Sequence, residues 1–147
     1  MSRNAVDYEE DFYAWTVEQA RLLRSGELSG IDVENIAEEI ESMGRGDQRQ
    51  IKSRLIVLLA HLLKWQMQPE MRSTSWSGTI REQRRKIEDL LSESPSLRPT
   101  VPEVLPRAYP EAREDASEES GLAETAFPEA CPFTPEEVLS RAFLPER

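Results

Sequence analysis

The stretch from Leu55 to Leu63 is apolar at every position except His61. Apolar residues that recur every three or four positions share one face of a helix. Here they form two faces, Ile51, Leu55, Leu58, Leu62 and Trp65 on one and Ile56, Leu59, Leu63 and Met67 on the other. A helix that is apolar on two faces needs neighbours on both. We therefore predict an all-α, single-domain helical bundle around a central helix at about residues 48–68.

The same stretch is too short for a membrane span. Arg54 and Lys64 bound it, whereas a spanning helix needs roughly 20 apolar residues. Residues 2–11 offer no apolar segment that could act as a signal peptide. The single cysteine, Cys131, has no partner for an intrachain disulfide. We expect a cytoplasmic protein that does not interact with membranes.

Residues 1–95 are predicted to form a core of four helices. The expected helices cover about residues 7–25, 33–43, 48–68 and 74–94. Their expected N-caps include Asp32, Asp47 and a residue of the stretch 73–75, Ser-Thr-Ser, because short polar side chains accept hydrogen bonds from free backbone N–H groups. Gly26 is expected to end the first helix, and Gly44 with Gly46 the second.

Residues 96–147 are predicted to form a proline-rich arm packed on that core, within one domain spanning 1–147. Eight of the ten prolines lie between Pro95 and Pro135. A helix over residues 103–119 is expected to be interrupted near Pro106 and Pro110, because proline removes a helical hydrogen bond. Residues 134–137 have the pattern of a capping box, which predicts a short terminal helix over 134–144 that docks back on the bundle.

Charge is unevenly distributed along the chain, whose net charge is −10. Residues 1–44 carry −8, residues 45–88 carry +6 and residues 89–147 carry −8. The basic middle could bind an anion, or acidic and basic helices could pack together. We favour the second alternative and expect no nucleic acid, because overall acidity opposes phosphate binding. It predicts an ion pair between a basic residue of the third or fourth helix and one of Glu34, Glu38, Glu39 and Glu41.

Glu38 and Glu41, with His61 on the neighbouring helix, form a candidate metal site. Helical bundles do hold metals with glutamate and histidine, usually through a Glu-x-x-His pair. Position 58, where that acid would stand, is a leucine. The alternative is a solvated acidic face, with His61 as a hydrogen-bonded residue at the edge of the core. We expect no cofactor.

Arg81, Arg84 and Arg85 are the candidate binding residues, since guanidinium groups can clamp a phosphate or a carboxylate. The alternative is an exposed basic face from which Arg84 turns inward. The three tryptophans fall on faces assigned to the core, where large aromatic side chains contribute most. No phosphate-binding glycine loop, serine elbow or HExxH motif is present.

Several segments together resemble a known family. They are YEEDFYAW at 8–15, residues 32–44 with IAEEIESMG at their end, LLKW at 62–65, Trp76 with IREQR at 80–84, CPFT at 131–134 and FLPE at 143–146. This combination is similar to a bacterial family catalogued as domain of unknown function 29. The resemblance implies a compact all-helical bacterial protein. It brings no reaction, cofactor or catalytic residue.

Three functions remain open from the sequence. The first is a small cytoplasmic binding or adaptor protein that presents charged helical surfaces to a protein partner. The second is a small metal-dependent enzyme that uses Glu38, Glu41 and His61. The third is an acidic partner that masks a basic toxin or nucleic-acid enzyme. The oligomeric state is not predicted.

Overall fold

The computed structural model describes residues 6–146, and within them it contains helices and no strands. The five α-helices are α1 Phe12–Ser25, α2 Val33–Met67, α3 Thr74–Glu93, α4 Val101–Ser120 and α5 Pro135–Leu139. The predicted all-α class is confirmed. In the described part of the chain, no helix combines the length and apolar character needed to cross a membrane.

The chain divides into two compact units, Met1–Gly46 and Asp47–Arg147, of which residues 6–46 and 47–146 are described. The first contains α1 and the beginning of α2, and the second contains the remaining helical segments. The arrangement as one domain over 1–147 stays a prediction.

In the first unit, α1 is shorter than the predicted 7–25. It begins at Phe12, where the Asp11 side chain accepts a hydrogen bond from the Ala14 N–H at 3.1 Å. It ends as predicted at Gly26, whose φ of 79° is the left-handed conformation that glycine adopts without steric cost. Trp15, Gln19 and Leu22 are its buried residues.

Asp32 joins the two helical segments of this unit. It is the predicted N-cap of α2 and accepts the Asn35 N–H at 3.4 Å. Its carboxylate also accepts hydrogen bonds from the Asn35 amide at 2.8 Å and from the Trp15 indole at 3.0 Å. Its backbone N–H donates to the side chain of Gln19 at 2.8 Å. The hydrogen bond from Asn35, above the others, lowers the pKa of Asp32.

The prediction that a helix ends at Gly44 and Gly46 and that Asp47 caps a new one is wrong. Helix α2 continues from Val33 to Met67 through all three residues. Neither glycine adopts a positive φ, the conformation that ends a helix at glycine. Each glycine costs about 1 kcal/mol relative to alanine, which is too little to break a hydrogen-bonded helix without a proline nearby.

The second unit is built on the apolar part of α2, as predicted. Ile51, Leu55, Leu58, Leu62 and Leu63 are fully buried there. Helix α3 contributes Ile80, Ile87 and Leu91 to the same hydrophobic core. Helix α4 contributes a stripe that includes three fully buried alanines, Ala108, Ala112 and Ala116. The prediction of a central helix at about 48–68 is confirmed for its core-forming residues.

Helix α4 is continuous, so the predicted interruptions near Pro106 and Pro110 are wrong. Pro102, Pro106 and Pro110 recur every four residues and are all exposed. Pro102 stands in the first turn, where its missing N–H would have no partner in any case. The carbonyl groups left free by the other two lie toward solvent, where water can bind them, while the opposite side of α4 is held in the core.

The capping box at the start of α5 is confirmed. Thr134 and Glu137 each accept a hydrogen bond from the other's backbone N–H, at 3.1 and 3.0 Å. The helix ends at Leu139, not near Leu144 as predicted. It docks within its own unit, because Val138 is fully buried and Phe133 packs against Phe143 with ring centroids 5.9 Å apart.

Candidate functional site

A groove of about 690 Å³ lies in the second unit between α3 and the C-terminal segment. One wall is formed by residues 74–75, 77–82 and 84–85 of α3, and the other by Arg141 and Leu144. All three candidate binding residues, Arg81, Arg84 and Arg85, line it. Arg141 is a fourth arginine, which the sequence analysis missed because it stands 56 residues after Arg85.

The groove is cationic. Its lining includes one carboxylate, Glu82, which lies 3.4 Å from Arg85 and 3.8 Å from Lys86. Both of these contacts are between exposed side chains within one helix, where such pairs contribute about 0.3–0.5 kcal/mol. Arg81 and Arg141 are exposed and have no carboxylate at ion-pair distance among residues 6–146. Their guanidinium groups are therefore available to a ligand.

The first turn of α3 adds polar groups to the same groove. Ser73 caps the helix by accepting the Trp76 N–H at 3.2 Å. The groove is lined there by Thr74, Ser75 and Ser77, and the positive end of the helix dipole favours an anion. Gly78 provides room beside them, since a Cβ at that position would stand 3.9 Å from the Arg81 guanidinium.

Arg84 has a different role from its neighbours. It is buried, and it donates from Nε to the carbonyl oxygen of Val138 at 2.8 Å and from Nη2 to that of Glu137 at 3.3 Å. Burial lowers the pKa of its guanidinium. The alternative in which Arg84 turns inward is confirmed, and Arg84 positions the C-terminal wall of the groove.

These bonds also explain the short length of α5. If the helix continued, the backbone N–H groups of Arg141 and Ala142 would bind the carbonyls of Glu137 and Val138. Instead, Arg84 binds both carbonyls, the Ser140 N–H shares that of Glu137 at 3.3 Å, and the Ala142 N–H donates to the Ser140 hydroxyl at 3.3 Å. The chain leaves the helix at Ser140 with extended backbone.

The candidate metal residues do not come together on two neighbouring helices. Glu38, Glu41 and His61 all belong to α2, because the two predicted helices are one. Among residues 6–146, no group of three or more histidine, cysteine or acidic side chains is arranged to hold a metal ion. Glu38 instead pairs with Arg45 at 2.7 Å, both side chains being exposed.

The predicted ion pair between one of Glu34, Glu38, Glu39 and Glu41 and a basic residue of the third or fourth helix is not found among residues 6–146, so this prediction is wrong; Glu38 pairs with Arg45 instead. Arg45 follows Glu38 in the same helix, so this pair joins no two helices. Glu39 accepts a hydrogen bond from the Tyr8 hydroxyl, which raises the pKa of Tyr8 to about 12. Glu34 and Glu41 are exposed.

His61 lies at the edge of the core, as predicted. Its Nδ1 is 2.9 Å from the carbonyl oxygen of Val57 in the preceding turn of α2. Because a carbonyl oxygen only accepts, Nδ1 carries the proton in this contact. Burial of the ring is the main cause that lowers the pKa of His61.

Lys64, which bounds the apolar stretch of α2, is buried. Its Nζ donates to Glu119 of α4 at 2.6 Å and lies 5.0 Å from the ring centroid of Trp76. Trp76 and Trp65 are half-buried, and Trp65 is covered by the guanidinium of Arg72 at 5.1 Å. No local pattern signals these contacts, since Glu119 is 55 residues away from Lys64.

The helices and the groove define an all-helical protein with a cationic groove on its surface. A family model described as "Domain of unknown function DUF29" matches residues 8–144. The chain belongs to this family, as its sequence segments indicated. Comparisons with curated proteins and with solved structures found no match.

Proposed function

We propose that this is a bacterial, cytoplasmic binding or adaptor protein whose arginine groove takes an acidic segment of a protein partner. The observation that carries the proposal is the convergence of Arg81, Arg85 and Arg141 on one groove. Two of these have no carboxylate partner among residues 6–146, although the chain has 28 acidic and 18 basic side chains. In so acidic a protein, free arginines in one groove favour an external anion.

A protein carboxylate suits the groove better than nucleic acid does. A guanidinium group binds a carboxylate through two parallel hydrogen bonds. No aromatic side chain lines the groove to stack a base. The net charge of −10 would also repel an extended phosphate backbone outside the groove. A volume of about 690 Å³ is in the range of a small-ligand pocket and accepts a few side chains of a peptide.

The test uses a fluorescein-labelled peptide of alternating glutamate and serine, titrated with the full chain and followed by fluorescence anisotropy. Replacing Arg81 and Arg141 together by glutamine should weaken binding by about tenfold or more, since a charge-assisted hydrogen bond contributes roughly 1.5–3 kcal/mol. Raising the salt concentration should weaken binding of the wild-type protein, because the contributing charges are exposed.

Arg107→Gln is the matched control. Arg107 is exposed on α4 and is not among the residues that line the groove, so its replacement removes one positive charge elsewhere in the second unit, to be compared with Arg81→Gln alone as well as with the double variant. It should leave the affinity within about twofold, as a rim charge acts mainly on the association rate. Equal losses in both variants, or no binding of the peptide to wild-type protein, would exclude this function for the groove.

A further inference from the structure

The first unit carries a stripe of exposed apolar residues on α2. Val33, Ile36, Ile40 and Met43 follow one another at intervals of three and four residues, the spacing of a helix-packing seam. Val33 and Ile40 are each 59% exposed, Met43 is 67% exposed and Ile36 is half-buried. Large apolar side chains grouped this way are typical of an interaction surface.

The packing of α1 leaves Val33 and Ile40 exposed. Within the unit, the side chains of Trp15 and Tyr8 reach Asp32 and Glu39 of the α2 segment. Val33 and Ile40 each follow one of these two acidic residues by one position, which places them about 100° further round the helix and beside the α1 contact. Ile36 and Met43 lie within about 60° of Asp32 and Glu39, so they form the edge of the stripe nearer to α1.

The surroundings of the stripe are acidic and leave room for a close approach. Glu34 and Glu41 lie a further 100° round the helix and are exposed. Ala37 and Gly44, at the edge of the stripe, are small and exposed, and a Cβ added to Gly44 would meet nothing within 4 Å. Residues 6–46 carry 11 acidic and 3 basic side chains.

We infer that this stripe binds an amphipathic helix with basic flanking residues, supplied by a second protein partner. Leucine-like side chains of that helix would cover Val33, Ile40 and Met43, and its lysines or arginines would lie opposite Glu34 and Glu41. The inference is independent of the arginine groove, since the unit, the residues and the charge of the ligand all differ. It gives the acidic unit a ligand of the kind presented by a basic toxin or a nucleic-acid enzyme.

A second copy of the same chain fits the surface less well. A symmetric contact through the stripe would bring the glutamates of both copies to one interface, and each chain already carries a net charge of −10. Like charges across an interface oppose association. Charge complementarity therefore selects a basic helix as the occupant.

The experiment uses a labelled synthetic peptide of about three heptads, with leucine at the a and d positions and lysine at the flanking positions. Its matched control has the same composition in an order that places the leucines all round the helix. The ordered peptide should bind the full-length protein at least tenfold more tightly than the reordered one and should gain helical circular dichroism on binding. Equal affinities would overturn the inference, because charge alone would then account for the binding.

Two sets of variants locate the site. Ile40→Ser with Met43→Ser should weaken binding of the ordered peptide by about tenfold or more, whereas Tyr13→Ser, at a 77% exposed position on α1, should not change it. Glu34→Gln with Glu41→Gln should weaken binding and reduce its salt dependence, while Glu10→Gln should do neither. A thermal unfolding curve for each variant checks that the fold is retained.

Two further outcomes would count against the inference. Weakening of binding by Tyr13→Ser to the same extent as by the stripe variants would place the peptide elsewhere. A dimer of the wild-type protein in light scattering, converted to a monomer by Ile40→Ser with Met43→Ser, would make a second copy the occupant. The arginine-groove variants should leave binding of this peptide unchanged, so failure of either proposal is distinguishable from failure of the other.

Discussion

The buried guanidinium of Arg84 lies 2.8 Å from the carbonyl oxygen of Val138, across 54 residues of sequence. It satisfies a carbonyl at the end of α5 that the helix leaves free, and it also reaches the carbonyl of Glu137, which accepts the Ser140 N–H at 3.3 Å as well. Cations are favoured at that end of a helix by the dipole as well. This contact connects α3, which bears most of the groove, to the segment that forms its other wall.

Replacing Arg84 by alanine should lower the free energy of unfolding by about 2–4 kcal/mol, because the buried Val138 carbonyl loses its donor, the Glu137 carbonyl loses one of two donors and a cavity forms. Urea unfolding measures the loss, and hydrogen exchange should show faster exchange in α5 than in α3. Arg85→Ala serves as the control, since Arg85 is the exposed neighbour and its loss should stay within about 0.5 kcal/mol. Equal effects of the two substitutions would contradict the assigned role of Arg84.

Leu62 tests the central position of α2 in the second unit. Its side chain is fully buried, and replacement by alanine should cost about 2–5 kcal/mol through lost burial and the cavity left behind. The free energy of unfolding in urea provides the measurement. Met71→Ala removes an apolar side chain that is 56% exposed and should have little effect. An unchanged midpoint for Leu62→Ala would be incompatible with this core.

His61 should make stability depend on pH. Burial, together with the charge of Lys64, lowers the pKa of His61 below its ordinary value of 6.5, although the Val57 carbonyl and Glu119 act in the opposite direction. The unfolded chain therefore takes up the proton first as the pH falls. The contribution is complete above about pH 6.5 and is lost as the pH falls toward the lower pKa of the folded state.

Two measurements check this sign. His61 is the single histidine in the sequence, so proton NMR gives one imidazole titration curve, whose midpoint should lie below 6.5. His61→Gln should make the free energy of unfolding less dependent on pH between about 5 and 7. A midpoint above 6.5 would reverse the expected direction and would show that the Val57 carbonyl and Glu119 together act more strongly than burial and Lys64 do.

Local signals predicted much of the fold because they act over one helical turn. The apolar faces around Leu58 predict the core helix, and the side chains of Asp32 and Thr134 predict two of the caps. For α3 the sequence predicts a cap within residues 73–75, and the structure selects Ser73. Arg84 could be assigned only two alternatives, because its neighbours in sequence do not reveal what lies across from it. Its partners, the carbonyls of Glu137 and Val138, are set by tertiary packing.

The errors at Gly44, Gly46 and the prolines of α4 share one physical origin. Each residue weakens a helix locally, and the sequence shows this cost directly. The outcome differs from the local expectation in both helices. In α2, Gly44 and Gly46 have no positive φ and the helix passes through them. In α4, seven buried residues hold the side of the helix opposite the prolines. Arg141 was missed for a related reason, since the C-terminal segment reaches the groove only through the docking of α5.

Helix α4 offers a direct test of whether buried contacts outweigh the local cost of a proline inside a helix. Pro106 is exposed and lies inside the helix, so Pro106→Ala restores the hydrogen bond to the carbonyl of Pro102 and disturbs no core contact. A proline inside a helix costs about 3 kcal/mol, and its stiffening of the unfolded chain returns only about 0.4–1 kcal/mol. The substitution should therefore raise the free energy of unfolding by about 2–2.5 kcal/mol, measured in urea.

Pro102→Ala is the matched control, because Pro102 stands in the first turn, where its missing N–H breaks no helical bond. Its replacement only increases the freedom of the unfolded chain, so stability should fall by up to about 1 kcal/mol. A rise in the free energy of unfolding for Pro106→Ala and a fall for Pro102→Ala would show that the core contacts of α4 hold the helix together despite Pro106. If Pro106→Ala lowered stability as Pro102→Ala does, the proline ring would itself be favouring the helix.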